Sequence, residues 1–165
     1  MKTLKNICNE KGEEIYMTRK EFQEFIAKGK MILDGATGSN LQKRGMPTGV
    51  CPEEWILEHP DVLVGLQREY IEAGSDVLYA PTFSGNRIKL EEYGLADQIG
   101  EMNRKLAGLS FEAIRQADTD RQVLVAGDIT MTGQQLYPVG NLPFEELVDI
   151  YKEQIGYLVE AGVDF

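Results

Sequence analysis

The chain has 165 residues, 42% of them hydrophobic, which is enough to enclose the core of one globular domain. Its 27 acidic and 17 basic residues give a formal net charge of −10, which disfavours nucleic acid and anionic membrane surfaces as partners. No apolar run approaches the roughly 20 residues that span a bilayer, and no signal-peptide core follows the first residues, so we expect a cytoplasmic protein.

Residues 1–17 are polar and form a predicted N-terminal lead-in without an assigned function, and residues 18–165 form the predicted folded unit. Thr18 and Glu21 have the spacing of a capping box, so a helix is predicted to begin there. Gly29 is predicted to end this helix. Its predicted apolar face consists of Phe22, Phe25 and Ile26.

The next stretch predicts a buried strand that opens into a polar turn. Residues 31–33 are apolar, and they lead directly into Asp34-Gly35-Ala36-Thr37-Gly38-Ser39. A carboxylate at a strand end can hold an ammonium group, and glycines let backbone N–H groups face an anion. The pair would suit an amino acid as ligand. The same pattern is also that of an ordinary tight turn, so both interpretations stay open at this point.

Residues 41–58 are predicted to form a long connection of the kind that often acts as a lid. We interpret Cys51 as a semi-buried thiol without chemistry and Trp55 as a packing anchor. His59 precedes Pro60 and is predicted to lie at a helix start. Cys8 and Cys51 are far apart and have no histidine nearby, so they predict neither a disulfide framework nor a zinc site.

The rest of the chain alternates between strands and helices. Each predicted strand is short and apolar, which is typical of parallel strands buried on both faces, and each is followed by polar or glycine-rich residues. The pattern predicts an α/β protein of the (β/α)8 TIM-barrel type, favoured over a doubly wound sheet because no G-x-G-x-x-G motif follows the first strand. The predicted helices are 60–73, 88–93, 96–117 and one beginning at Pro143, and the predicted strands are 76–80 and 123–126.

One internal repeat extends this pattern. Glu72-Ala73-Gly74-Ser75-Asp76-Val77 recurs as Glu160-Ala161-Gly162-Val163-Asp164-Phe165, a helix end, a glycine cap and the start of a strand. The second copy predicts a fourth strand that begins at the last residues. A whole barrel takes roughly 250 residues, so we expect about the first three and a half β/α units of a truncated barrel.

Six motifs in the chain carry a resemblance to a known family. They are Leu33-Asp34-Gly35-Ala36-Thr37-Gly38-Ser39, His59-Pro60-Asp61-Val62, Tyr70-Ile71-Glu72-Ala73-Gly74-Ser75-Asp76-Val77, Thr82-Phe83, Asn86-Arg87-Ile88-Lys89-Leu90, and Gly127-Asp128-Ile129 with Thr132-Gly133. In this order the motifs resemble the homocysteine S-methyltransferase domain, and within it the N-terminal homocysteine-binding module of cobalamin-dependent methionine synthase. The resemblance covers residues 18–165 and corresponds to the first half of that domain.

The resemblance implies an enzyme in which zinc binds and deprotonates the homocysteine sulfur, which then attacks an activated methyl group. It implies that Asp34 helps to hold the substrate ammonium and that the turn of Gly35, Gly38 and Ser39 receives the carboxylate through its backbone. Arg87 would either join the site or pair with an acid such as Glu91 or Glu92. The resemblance further places Thr82, Phe83, Asn86 and Asp128 around the same rim.

The sequence also departs from the family pattern. The family's three zinc cysteines, and an acid that completes the ammonium site, belong to the second half of the domain. Cys8 and Cys51 do not match those positions, so no metal ligand and no catalytic residue is predicted in this chain. We therefore expect weak or no zinc binding and no methyl transfer by the chain alone. The methyl donor is open, because methylcobalamin, betaine and S-methylmethionine all serve relatives.

Two other functions stay open on the sequence. The first is a non-catalytic half-barrel that self-associates or binds a partner chain through its open sheet edge. The second is a magnesium-dependent lyase or aldolase that uses Asp34 and Asp128, although no phosphate site for such a substrate is visible.

Overall fold

A computed structural model of the chain describes residues 18–165; the predicted lead-in and Cys8 lie outside the described residues. Seven α-helices, one 3-10 helix and two strands are formed within that range. In chain order they are α1 (Arg19–Ala27), α2 (Gly38–Lys43), α3 (Pro52–Glu58), α4 (Pro60–Ala73), β1 (Val77–Tyr79), α5 (Arg87–Glu91), the 3-10 helix Ala96–Gln98, α6 (Ile99–Gln116), β2 (Leu124–Ala126) and α7 (Phe144–Ala161).

The sheet is parallel, as predicted. β1 and β2 pair with Val77 opposite Leu124 and Tyr79 opposite Ala126. The predicted strand at 31–33 is reduced to a single parallel bridge between Leu33 and Val77. Its expected burial on both faces is wrong, because Ile32 is 53% exposed and no described strand covers its outer edge. The α/β class is confirmed, and the described residues form two paired strands rather than a closed barrel.

The internal repeat predicted from sequence has a structural counterpart. Gly74 and Gly162 both end helices in the left-handed conformation, with φ of 109° and 83°. The aspartate two residues later binds the neighbouring strand in the same way in each copy. Asp76 N–H donates to Ile32 O and its carboxylate accepts from Ile32 N–H, and Asp164 makes the same pair of bonds to Val125. These bonds support the prediction that the residues after Gly162 enter the sheet beside β2.

The two faces of the sheet are covered differently. Leu78 and Val125 point to one face, where they pack among apolar side chains of α4, α6 and α7. Val77, Leu124 and Ala126 point to the other face, and Phe25 of α1 packs against them. The predicted capping box of α1 is present, with both Thr18–Glu21 bonds formed. The short helix α1 therefore braces the face that the larger helices leave uncovered.

Residues 41–58 are not the open connection that the sequence predicts. They contain the end of α2 and all of α3, which begins at Pro52. Trp55 is buried and stacks on His59 with ring centroids 4.2 Å apart, which confirms its predicted packing role. His59 lies at the junction of α3 and α4, as predicted, and its Nδ1 is 2.9 Å from the Trp55 carbonyl.

Arg121, in the loop before β2, joins the end of α4 to the start of β1. Its guanidinium donates to the carbonyl of Ile71 at 2.6 Å and to Asp76 Oδ1 at 3.0 Å. It also donates to the carbonyls of Ser75 and Gly74 at 3.3 and 3.4 Å. The Ile71 carbonyl also accepts the Gly74 N–H, so Arg121 adds charge-assisted bonds to the last turn of α4 and ties that turn to the residues before β1.

Replacing Arg121 should lower the free energy of unfolding measurably. Arg121→Ala is expected to reduce the free energy of unfolding by about 1–3 kcal/mol, because several charge-assisted bonds to the backbone are lost. The matched control is Arg115→Ala, since Arg115 is exposed and pairs only locally with Glu112, a contact worth about 0.5 kcal/mol or less. Urea unfolding measures both. Equal losses in the two variants would contradict the role assigned to Arg121.

Candidate functional site

A cavity of about 420 Å³ lies where the predicted polar turns come together, at the carboxyl ends of the strands. Its wall is formed by α2, α3 and the residues that follow β1 and β2. The apolar part of the wall consists of Leu41, Met46, Pro52, Ile56 and Phe83, and the polar part includes Glu53, Ser84 and Asp128, with the backbone of Gly35 and Gly38. The cavity wall thus combines apolar side chains with two acidic ones, Glu53 and Asp128.

Asp34 lies beside this cavity at the end of the 31–33 segment. Its Oδ2 accepts the Tyr79 N–H at 3.2 Å, and its Oδ1 is buried without a partner. The pKa of Asp34 is raised to about 6, mainly by burial and also by the nearby negative charge of Asp128, while the bond from the Tyr79 N–H acts in the opposite direction. A half-buried carboxylate with one free oxygen is suited to accept an N–H from a cationic ligand.

The turn after Asp34 is fixed by two side chains that the sequence analysis did not single out for this role. Tyr70 of α4 donates its hydroxyl to the Ala36 carbonyl at 3.0 Å, and Asn40 of α2 donates to the same carbonyl at 2.7 Å. Asn40 also donates to the Tyr70 hydroxyl at 2.9 Å. Gly35 lies directly on the Tyr70 ring, where an added Cβ would approach the ring carbon Cε1 to 2.8 Å. A side chain at position 35 would therefore displace Tyr70.

Glu53 is the acidic residue that the sequence analysis missed. It lies in the first turn of α3 and is only 2% exposed. Its Oε1 accepts the Ser84 N–H at 2.7 Å, and its Oε2 accepts the Cys51 thiol at 3.7 Å. Burial raises the pKa of Glu53, and the Ser84 bond acts in the opposite direction. Two acids directly after a proline are typical of the exposed first turn of a helix. Nothing in the local sequence distinguishes the buried Glu53 from its exposed neighbour Glu54.

Thr82 joins the residues after β1 to those after β2. It is completely buried, and its hydroxyl donates to the Asp128 carbonyl at 2.8 Å and accepts the Asp128 N–H at 3.3 Å. Asp128 itself is half-buried in the cavity wall, and burial raises its pKa. Thr82 therefore positions Asp128 and does not itself line the cavity.

The remaining residues predicted for the site divide into two groups. Phe83 is 55% exposed and lines the cavity with Gly35, Gly38 and Asp128. Asn86 is buried away from the cavity and caps α5, accepting the Lys89 N–H at 3.1 Å. Arg87 pairs with Glu153 of α7, not with Glu91 or Glu92 as the sequence suggested. Ser39 lies in the first turn of α2, outside the cavity wall.

The described residues do not fit a zinc site. Within residues 18–165, no group of three or more His, Cys, Asp or Glu side chains is placed to hold a metal ion. The one cysteine in that range, Cys51, is buried with its thiol directed at Glu53, and burial raises its pKa to about 11. A thiol held in its protonated form is a poor metal ligand.

The contact between Gly35 and Tyr70 gives a direct test of how the turn is held. Gly35→Ala is expected to lower the free energy of unfolding by about 1–3 kcal/mol, because Cβ overpacks against the tyrosine ring. Gly108→Ala is the matched control, since it lies within α6 with open space around it and should be neutral or stabilising by about 1 kcal/mol. Thermal unfolding measures the two. Equal melting temperatures for both variants would show that Tyr70 does not pack on Gly35.

Comparison with known proteins points in one direction. The family model described as Homocysteine S-methyltransferase matches residues 31–165. Betaine–homocysteine S-methyltransferase 1 of Bos taurus is 30% identical over 151 residues, which are 89% of this chain and 36% of that protein. Methionine synthase of Mycobacterium tuberculosis is 28% identical over 150 residues, 86% of this chain and 12% of that protein.

Structural comparison agrees at the level of the fold. The metallated form of the homocysteine methyltransferase MmuM from Escherichia coli superposes with a TM-score of 0.71 and 20% identity, covering 87% of this chain and 55% of that chain. The chain thus spans about half of this solved structure and smaller shares of the two sequence relatives. The family match includes the Asp34 turn, the residues after β1 and Asp128, and the chain belongs to the homocysteine S-methyltransferase family.

Proposed function

We propose that the protein to which this chain belongs transfers a methyl group to the sulfur of homocysteine, making methionine. In this proposal the described residues bind the amino-acid end of the substrate. The observation that carries it is Asp34, a half-buried carboxylate with an unpartnered oxygen beside the cavity. We also propose that residues 18–165 form the first three and a half units of a (β/α)8 barrel, which the similarity to the E. coli structure supports.

The two charged ends of homocysteine would bind to different parts of the cavity. The ammonium would donate to Asp34 Oδ1, with the charge of Asp128 nearby. The carboxylate would accept from the backbone N–H of Gly38 in the cavity wall and from that of Ser39, the next residue of α2 just outside the wall. Both N–H groups lie in the first turn of α2 and have no carbonyl partner within that helix. The methylene groups would contact the apolar wall formed by Leu41 and Ile56.

The reaction also requires a deprotonated sulfur, because a free thiol with a pKa near 8.5 is only a few per cent thiolate at pH 7. The family resemblance assigns this task to zinc. Residues 18–165 do not fit a zinc site, so we assign them to substrate binding and positioning only. The methyl donor is likewise left open, and a donor such as methylcobalamin would have to be presented by other parts of the protein.

The alternative of a half-barrel interaction module has one observation in its favour. Large apolar side chains after β2 are exposed, among them Met131, Tyr137 and Val139. Such side chains are typical of a surface that another segment or chain covers. A barrel whose remaining units pack there explains the same exposure, so the two proposals differ in whether the cavity binds homocysteine.

A homocysteine titration of the whole protein tests the role of Asp34. The pKa of Asp34 is raised to about 6 in the unliganded protein, so its carboxylate is protonated below that pH and charged above it. The ammonium of homocysteine is charged throughout this range, and binding should therefore strengthen as the pH rises from 5 to 7. Asp34→Asn should bind roughly tenfold or more weakly at pH 7.5 and lose most of this pH dependence.

The control for this titration is Asp118→Asn. Asp118 is an exposed acid in the loop that precedes β2, at the opposite end of the sheet from the cavity. This variant should bind homocysteine as the wild type does. An Asp34→Asn variant with wild-type affinity at every pH would remove Asp34 from the site and with it the main support for the proposed function.

A further inference from the structure

The segment that leads out of β1, residues 79–86, is held by side chains from four different helices. Each of these side chains is buried, and each bonds to the backbone of the segment and not to another side chain of it. Gln67 of α4 donates to the Tyr79 carbonyl at 2.9 Å, Gln154 of α7 to the Thr82 carbonyl at 2.8 Å and Asn103 of α6 to the Gly85 carbonyl at 2.8 Å, while Glu53 of α3 accepts the Ser84 N–H at 2.7 Å.

Glu53 differs from the other three in two ways. It is the one ionisable side chain among them, and it is the one that also forms part of the cavity wall. A buried carboxyl group costs free energy unless its oxygens accept hydrogen bonds. The bonds from Ser84 and Cys51 therefore offset part of the cost of burying Glu53 and fix the orientation of its side chain.

The bond between Glu53 and the Ser84 N–H affects Phe83, because few other contacts fix the position of the Phe83 side chain. Phe83 is 55% exposed and, among the described residues, it belongs to none of the buried hydrophobic clusters. Its position in the cavity wall is therefore set by the backbone that carries it. The neighbouring backbone N–H, that of Ser84, is the group that Glu53 binds.

We propose that Glu53 is a positioning residue for amino-acid binding: it accepts the Ser84 N–H and thereby fixes Phe83 and Ser84 in the wall of the cavity. This inference rests on the proposed function, because it gives the cavity a homocysteine ligand. Glu53 does not contact the reacting sulfur in this proposal. Both of its carboxylate oxygens already accept bonds, from Ser84 and from Cys51, so it acts through the segment it holds.

Two substitutions of Glu53 distinguish the effect of its hydrogen-bond acceptor from the effect of its negative charge. Glu53→Gln keeps a side-chain oxygen that can accept the Ser84 N–H, and Glu53→Leu keeps similar bulk but has no acceptor. Glu54→Leu is the matched control, because Glu54 lies in the same turn of α3 but is exposed. Each variant is made in the whole protein, and two quantities are measured: the affinity for homocysteine, and the amide hydrogen exchange of residues 79–86 without ligand, with the amides of α6 as an internal reference.

Glu53→Leu should weaken homocysteine binding about tenfold and speed exchange in residues 79–86 by a similar factor, while α6 exchanges as in the wild type. Glu53→Gln should restore both quantities to within about threefold of the wild type. Glu54→Leu should change neither. This set of results would support the positioning role.

Three results would overturn it. Unchanged exchange at residues 79–86 in Glu53→Leu would show that the bond does not hold the segment. Faster exchange throughout α6 would show a general loss of stability instead of a local one. Equal loss of binding in Glu53→Gln and Glu53→Leu would show that the charge acts, not the acceptor geometry. A wild-type protein that binds no homocysteine would instead overturn the proposed function, while the exchange data would still decide whether Glu53 holds the segment.

Discussion

The site depends on one constraint: the backbone that leaves β1 must find hydrogen-bond partners after the strand pairing ends. Backbone N–H and C=O groups buried without partners are costly, and the last backbone bond from this segment to β2 is that of the Ala80 N–H to the Ala126 carbonyl. Buried side chains of four helices, Gln67, Asn103, Gln154 and Glu53, supply the partners instead. Because each comes from a different helix, the same bonds fix the position of the helices relative to the sheet and the position of the cavity wall.

The electrostatics of the cavity follow from this arrangement. Asp34 and Asp128 follow the two segments that pair with β1, residues 31–33 and β2, and Thr82 holds the backbone of Asp128 at both its N–H and its carbonyl. Burial raises the pKa of both acids, and the charge of Asp128 contributes to the raised pKa of Asp34. Bringing these carboxylates together without a cation is unfavourable, and a ligand that carries an ammonium group relieves it. The fold therefore favours an amino acid over an anionic ligand in this cavity.

Local features of the sequence were sufficient to predict much of the fold. The Thr18–Glu21 capping box, the glycine caps at Gly74 and Gly162 and the parallel pairing of β1 with β2 are all present. The helices α2 and α3 were missed because six or seven residues are too short to show helical periodicity. The local sequence could not predict which four side chains bind residues 79–86, because bonded partners such as Gln154 and Thr82 are 72 residues apart. The sequence singled out Asp34, after residues 31–33, but not Glu53, the buried acid in α3.

In the proposed function, Asp34 and the first turn of α2 together hold the two charged ends of homocysteine. A crystal structure of the whole protein with homocysteine bound tests this binding mode most directly. We expect the substrate nitrogen within about 3.2 Å of Asp34 Oδ1, a hydrogen-bonding distance, and the substrate carboxylate at the N–H groups of Gly38 and Ser39. A bound homocysteine whose nitrogen and carboxylate both lie away from Asp34 and α2 would contradict the claim.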